Sequence, residues 1–156
     1  MNTLRQGIGV IAALCVLGVC PASDRDLFPD PIRANADLAA GLRTAATEHR
    51  RVIVDFGGNW CTDCHVLEAV LHDERNRPLL DASFVLVHIN VGRLDKNLDL
   101  ATRLKIPLQK GVPALAVLES DGTLLYSQRT GEFQDMRRMD SAGVAEWLRR
   151  WQPAPG

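Results

Sequence analysis

A short apolar run, two glycines and a closely spaced pair of cysteines follow one another directly in the first half of the chain. Residues 52–56 (VIVDF) are apolar and rich in β-branched side chains, which is typical of a buried strand. Gly57 and Gly58 end this run, and Cys61 and Cys64 come next, one helical turn apart. The sequence therefore predicts a strand, a tight turn and a helix, with a pair of thiols where the helix begins.

Helices and strands alternate along the rest of the chain. Apolar residues recur at helical spacing over residues 35–49 and again over residues 61–77. Further helices are predicted at 94–104 and 141–151, and further strands at 84–91, 113–118 and 123–126. Asp121-Gly122 is a hairpin turn signal, and Ser141 is the expected N-cap of the last helix. This order predicts an α/β fold with a central mixed β-sheet and flanking helices.

Length and composition indicate one globular domain. The chain has 156 residues, of which 46% are hydrophobic and 24% charged, so it can bury a core of its own. We place the domain at residues 35–152 and expect residues 23–34, which contain Pro29 and Pro31, to form an extended lead-in. The formal net charge is −1, which predicts neither nucleic acid nor an anionic membrane surface as a partner.

The N-terminal segment has the pattern of an export signal. Arg5 is followed by an uncharged stretch at residues 7–20, which is shorter than the roughly 20 residues of a membrane span. We expect a signal peptide at residues 1–22 and a periplasmic protein. An alternative is that residues 17–20 (LGVC) form a lipoprotein signal, in which case Cys20 would carry a lipid and would be the protein's one contact with the membrane.

Cleavage after residue 22 would remove Cys15 and Cys20 and leave Cys61 and Cys64 as the remaining cysteines. A secreted scaffold that depends on disulfides carries more cysteines at wider spacing. At the start of a helix, the partial positive charge lowers the pKa of the Cys61 thiol and makes it the nucleophile. Cys64, one turn further, can resolve a mixed disulfide formed at Cys61.

The same residues fit two other patterns. Cys61, Cys64 and His65 form a C-x-x-C-H sequence, which attaches c-type haem, and second axial ligands are available. These candidate second ligands are His72, His88, Met136 and Met139. The two thiolates with His65 could instead hold Cu(I). The strand directly before the motif argues against haem. His72 and His88 belong to no recognisable motif with other residues, so they are expected to be structural.

Residues 54–61 (VDFGGNWC) resemble the active-site strand of the thioredoxin family, with an acid six residues before the first cysteine. Gly111-Val112-Pro113 resembles the Gly-Ile-Pro of that family, and the resemblance spans residues 35–151. It implies a thioredoxin-like three-layer sandwich and a thiol–disulfide oxidoreductase that needs no cofactor.

The resemblance also implies roles for individual residues. Asp55 would lie buried beneath the second cysteine and handle its proton. Val112 and Pro113, the latter after a cis peptide bond, would form a substrate-docking surface. Trp60, next to the reactive cysteine, is expected to shield the site and contact partners.

The chain departs from the family between the cysteines, where Thr62 and Asp63 replace Gly-Pro. A carboxylate beside Cys61 disfavours the thiolate, so we expect Asp63 to raise the Cys61 pKa and make the pair more reducing. Ala69 stands where the family has a helix-kinking proline, and residues 133–140 have no role predicted from the sequence.

We therefore expect a thiol–disulfide oxidoreductase that reduces or exchanges disulfides in exported proteins. Its electrons would come from another dithiol protein, for example a membrane-bound one. The alternative is a binding module of the same fold, either a chaperone or a Cu(I) metallochaperone.

Overall fold

The computed structural model describes residues 26–154, which form a mixed β-sheet flanked by helices. The helices are α1 (Ala34–Glu48), α2 (Thr62–Leu71), α3 (Arg77–Ser83), α4 (Leu98–Arg103) and α5 (Ser141–Trp151). The strands are β1 (Arg51–Gly57), β2 (Phe84–Asn90), β3 (Ala114–Leu118) and β4 (Leu124–Ser127). Single 3-10 turns occupy Pro31–Arg33 and Leu108–Lys110. The expected signal peptide and Cys20 lie outside the described residues.

The strand order across the sheet is β2-β1-β3-β4. Strand β1 pairs in parallel with β2 and antiparallel with β3, and β3 pairs antiparallel with β4 across the predicted hairpin. Every residue of β1 after Arg51 is buried, because neighbours cover both its edges and helices cover both its faces. The predicted mixed sheet is confirmed, and its central strand is the one that leads to the cysteines.

Two apolar cores, one on each face of the sheet, make the fold a three-layer sandwich. The core against α1 and α4 includes Leu38, Val52, Val54, Phe56, Val87 and Leu100. The core against α2, α3 and α5 includes Ile53, Leu67, Leu71, Leu80, Leu115 and Leu148. Alternate residues of β1 enter opposite cores, as the period of two in a strand requires. The predicted three-layer architecture is confirmed.

Two helix predictions were wrong in their extent. The single helix expected over residues 61–77 ends at Leu71, and Pro78 lies in the first turn of a second helix, α3. Proline is tolerated there because the first backbone N–H groups of a helix have no intrahelical acceptor. The helix expected from Leu94 begins at Leu98, because Leu94 and Asn97 adopt positive φ angles of 69° and 55°.

The predicted N-cap of the last helix also differs from the structure. Asp140, not Ser141, is the N-cap of α5, and its carboxylate accepts the backbone N–H of Gly143 at 2.8 Å. Asp is as good a cap as Ser, and its charge also suits a helix N-terminus. The unassigned residues 133–140 are anchored in the second core by Phe133 and Met136, both fully buried.

The segment expected as a lead-in contributes a core residue. Phe28 is 1% exposed, and its backbone N–H and carbonyl are bonded by the side chain of Asn59 at 2.9 Å each. Asn59 belongs to the turn between β1 and α2. This short segment is therefore packed directly against the cysteine-bearing turn.

Candidate active site

Cys61 and Cys64 form a disulfide at the N-terminus of α2, with their Cα atoms 5.3 Å apart. Cys61 is the N-cap of the helix, and its Sγ accepts the backbone N–H of Cys64 at 3.2 Å. Cys64 is fully buried, whereas Cys61 keeps 6% of its surface exposed. The more accessible sulfur is thus the one at the helix end, where a thiolate is stabilised by backbone N–H groups and the helix dipole.

The two glycines before the cysteines are required by close approaches. A Cβ at Gly57 would lie 2.8 Å from Cys64 Sγ and would also meet the Phe28 ring. A Cβ at Gly58 would lie 2.6 Å from Nε1 of Trp60. Strand β1 can therefore end directly against Cys64 because Gly57 carries no side chain, while Gly58 leaves room for the Trp60 indole.

Asp55 is 1% exposed and lies on β1 two residues before Gly57. Residues two apart on a strand share a face, so the carboxylate lies on the side of the sheet that faces Cys64. Oδ2 is 3.0 Å from Nδ1 of His88, while Oδ1 is buried with no hydrogen-bond partner among the described residues. A buried carboxylate oxygen without a partner is costly, which favours a chemical role for Asp55.

His88 was expected to be structural, yet the structure brings it to Asp55. The two residues are register partners on the parallel strands β1 and β2. Burial opposes protonation of His88, but the hydrogen bond and charge of Asp55, with the charge of Glu68, outweigh it and raise the pKa of His88 above its ordinary value. Asp55 and His88 are each the fifth residue of their strand. This shared position predicts their contact only when the β1–β2 register is known.

Glu68 is a further site residue that the sequence analysis missed. It lies on α2, four residues after Cys64, with Oε2 3.5 Å from Nε2 of His88. Its Oε1 is 3.2 Å from Nδ1 of His72. Residues four apart share a helix face, so the spacing from Cys64 was the available signal.

The Val112–Pro113 peptide bond is cis, as the resemblance implies, and the Val112 carbonyl oxygen is 3.7 Å from Cys61 Sγ. The buried side chain of Gln128 holds this segment: Nε2 donates to the Pro113 carbonyl at 3.3 Å, and Oε1 accepts the N–H of Leu115 at 3.1 Å. Gln128 was not predicted as a site residue. It fixes the backbone that faces the reactive sulfur.

Trp60 is 42% exposed beside Cys61. Its Nε1 donates to the carbonyl of Gly92 at 2.6 Å, and the guanidinium of Arg93 lies 5.4 Å from the ring centroid. These contacts hold the indole against the loop after β2 and leave an aromatic surface next to the disulfide. The docking role of Trp60 stays a prediction.

Thr62 and Asp63 occupy the first turn of α2, with Thr62 exposed and Asp63 half-buried. His65 is exposed, and its Nε2 is bonded to the carbonyl of Asn59 at 3.0 Å. The four candidate second haem ligands have other contacts: His88 contacts Asp55, and His72 contacts Glu68. Met136 is buried in the second core, and Met139 packs against that core.

Within residues 26–154, no three or more His, Cys, Asp or Glu side chains are arranged to hold a metal ion. Over the same residues, none of the helices is both long enough and apolar enough to cross a membrane.

Comparisons with known proteins agree with this geometry. The sequence model of the thioredoxin-like family matches residues 33–120. A disulphide isomerase from Xylella fastidiosa Temecula1 has a similar structure, with a TM-score of 0.73 and 31% identity over 80% of this chain and 95% of that one. The thiol:disulfide interchange protein DsbD of Pseudomonas fluorescens is 30% identical over 108 residues, which are 65% of this chain. The chain spans 17% of the length of that relative.

The chain belongs to the thioredoxin-like family. The fold and the cysteine pair at the start of α2 define a thiol–disulfide oxidoreductase of that family.

Proposed function

We propose that the protein reduces or exchanges disulfides in exported proteins, with Cys61 as the nucleophile and Cys64 as the resolving cysteine. The observation that carries the proposal is the Cys61–Cys64 disulfide at the N-terminus of α2, with its more exposed sulfur beside the Val112 carbonyl. An extended substrate can approach Cys61 between Trp60 and the Val112–Pro113 segment. These residues form the proposed docking surface.

The reaction proceeds by two displacements at sulfur. The Cys61 thiolate attacks a substrate disulfide, forms a mixed disulfide and releases one substrate sulfur as a thiolate. Cys64 then loses its proton to Asp55 and attacks Cys61 Sγ, so that the intramolecular disulfide forms and the second substrate thiolate leaves. Two electrons pass from the cysteine pair to the substrate, and another dithiol protein must return them.

Thr62 and Asp63 are proposed to set the reduction potential. Asp63 places a negative charge in the first turn of α2, directly before Cys64 and two residues after Cys61. This charge opposes a thiolate at Cys61 and therefore favours the disulfide form, which makes the pair a stronger reductant.

Export to the periplasm is part of the proposal and is supported by the sequence of residues 1–22. In this account residues 23–34 lead into a domain at 35–152, with or without a lipid on Cys20. The similarity to a part of DsbD supports a place in a thiol relay, with a membrane-bound dithiol protein as the electron donor.

Reduction of insulin by dithiothreitol tests the function directly. We expect the wild-type protein to accelerate insulin precipitation, Cys61→Ser to abolish the acceleration, and Cys64→Ser to accumulate a mixed disulfide at Cys61. Gel analysis without reductant detects that adduct. Wild-type protein without turnover would contradict the enzyme and favour the alternative, a binding module that holds a partner or Cu(I) with its cysteines.

A further inference from the structure

Four titratable side chains lie one after another between the interior, on the face of the sheet that carries Cys64, and the surface. In order they are Asp55, His88, Glu68 and His72, and their side chains are 1%, 16%, 28% and 36% exposed. The rise in exposure along the series gives it a direction. One end is buried on the face of the sheet that carries Cys64, and the other reaches solvent at the end of α2.

Each link joins groups that can exchange a proton. Asp55 Oδ2 is 3.0 Å from His88 Nδ1, which is hydrogen-bonding distance. On the other side of the imidazole, Nε2 is 3.5 Å from Glu68 Oε2, an ion-pair contact without a hydrogen bond in this state. Glu68 Oε1 is 3.2 Å from His72 Nδ1, which also bonds the backbone carbonyl of Glu68 at 3.1 Å. Histidine suits the middle position because its two ring nitrogens can accept a proton on one side and release one on the other.

The chemistry at Cys64 requires such a path. Cys64 Sγ is fully buried beneath α2 and against β1, so its proton cannot pass directly to water. Asp55 can take that proton, but with 1% exposure it cannot discharge it to solvent either. Each catalytic cycle would leave a proton on a buried carboxyl group unless a neighbouring group removed it.

We propose that His88 is a positioning residue that relays the proton between Asp55 and Glu68, with His72 at the solvent end of the path. The inference rests on the proposed function, since it concerns the step in which Cys64 resolves the mixed disulfide. It assigns proton transfer to two histidines and a glutamate that lie outside the cysteine motif.

The transfer conserves protons at every step. Cys64 gives its proton to Asp55 as its sulfur attacks Cys61. Asp55, now neutral, passes a proton to Nδ1 of the His88 tautomer whose proton is on Nε2, while Nε2 gives that proton to the Glu68 carboxylate, which exchanges it with solvent. The return of a proton to Cys64 during reduction of the disulfide reverses these steps and restores the tautomer. The electrons move separately, to the substrate thiolate that leaves.

Asp55 and Glu68 are the charged side chains that contact His88 in the described residues. From β1 it faces Asp55, and from α2 it faces Glu68. On the outer side of β2, Arg33 and Asp37 line the same groove as His88, but they pair with each other at 2.9 Å. Phe28 packs edge-on against the imidazole at 5.2 Å between ring centroids and excludes water from that side.

The two displacement steps can be timed separately with 5,5′-dithiobis(2-nitrobenzoate). Attack by Cys61 releases a first thionitrobenzoate, and attack by Cys64 on the mixed disulfide releases a second, both followed by stopped-flow absorbance. We expect His88→Gln, whose amide can still bond Asp55, to slow the second release about tenfold or more between pH 6 and 8. The first release should stay within about twofold of wild type. Glu68→Gln should slow the second release in the same way.

His49→Gln is the matched control, because His49 is an exposed histidine at the end of α1, and both releases should stay at the wild-type rate. A second release in His88→Gln within about twofold of wild type at every pH would overturn the relay. If His88→Gln does not fold, Glu68→Gln decides by the same criterion. Wild-type protein that releases only one thionitrobenzoate would instead contradict the proposed function itself, so the two failures are distinguishable.

Discussion

Single residues decide the chemistry of this site, and Asp55 and His88 are the clearest pair. A carboxylate in the centre of a buried strand is costly unless another group compensates it. The imidazole at 3.0 Å supplies that compensation from the neighbouring strand. The Asp55–His88 pair therefore contributes to the stability of the fold and also takes part in the proposed proton transfer from Cys64.

The raised pKa of His88 predicts a pH dependence of stability with a definite sign. The folded protein binds the His88 proton more tightly than the unfolded chain, so this contribution is complete below the unfolded pKa of about 6.5 and is lost as pH rises through the folded pKa. The excess free energy of unfolding of wild type over His88→Gln should fall as pH increases from 6 to 9. Urea unfolding of the oxidised proteins measures it, since their cysteines do not titrate. A difference that stays constant or grows would contradict the ion pair.

At the scale of elements, the junction between β1 and α2 positions the reactive sulfurs. The strand ends on Gly57 directly under Cys64, and the turn places Cys61 at the helix N-cap. The lead-in segment then fixes the turn through the Asn59 bonds to Phe28. The geometry of the cysteines thus depends on close packing among three segments.

Gly57→Ala should destabilise the protein, because the new methyl group would overlap Cys64 Sγ and the Phe28 ring. Overpacking of this kind costs about 1–3 kcal/mol in the free energy of unfolding. Gly143→Ala is the matched control, since its Cβ would meet its nearest neighbours at 3.4 Å and should change stability by less than about 1 kcal/mol. Equal stabilities of the two variants in urea would show that the junction is not close-packed.

Local signals in the sequence predicted most elements, whereas contacts between elements could not be predicted. The β-branched run of β1, the cysteine spacing and the Asp121-Gly122 turn each depend on neighbouring residues, and each prediction is confirmed. His88 was missed because its partner depends on the β1–β2 register. Glu68 was missed because its contact runs from a helix to a strand.

The boundary errors have the same origin. Asp140 and Ser141 both suit an N-cap, and the backbone conformation at Asp140 decided between them. Pro78 marks a helix end when it is considered alone, yet the fold uses it in the first turn of α3. Phe133 and Met136 bury residues 133–140 against the second core. The sequence did not predict this packing because most of the neighbouring residues are polar or charged.

For the whole molecule, the fold presents one reactive cysteine at one end of the central strand and buries the other. The proposed docking surface beside Cys61 combines the Trp60 ring with the Val112–Pro113 backbone, and we expect it to accept an extended protein substrate. The chain is similar to a part of DsbD, and in the proposed function the Cys61–Cys64 pair exchanges electrons with another dithiol protein.

Cys61 and Cys64 are proposed to form a reversible redox pair that favours reduction of other disulfides. Equilibration of the protein in glutathione or dithiothreitol buffers, with free thiols measured by alkylation, tests it most directly. We predict a reversible two-electron transition at about −270 mV, with Asp63→Asn displaced towards less negative values. A pair that does not titrate reversibly, or one that titrates at about −120 mV, would contradict the proposed reductase.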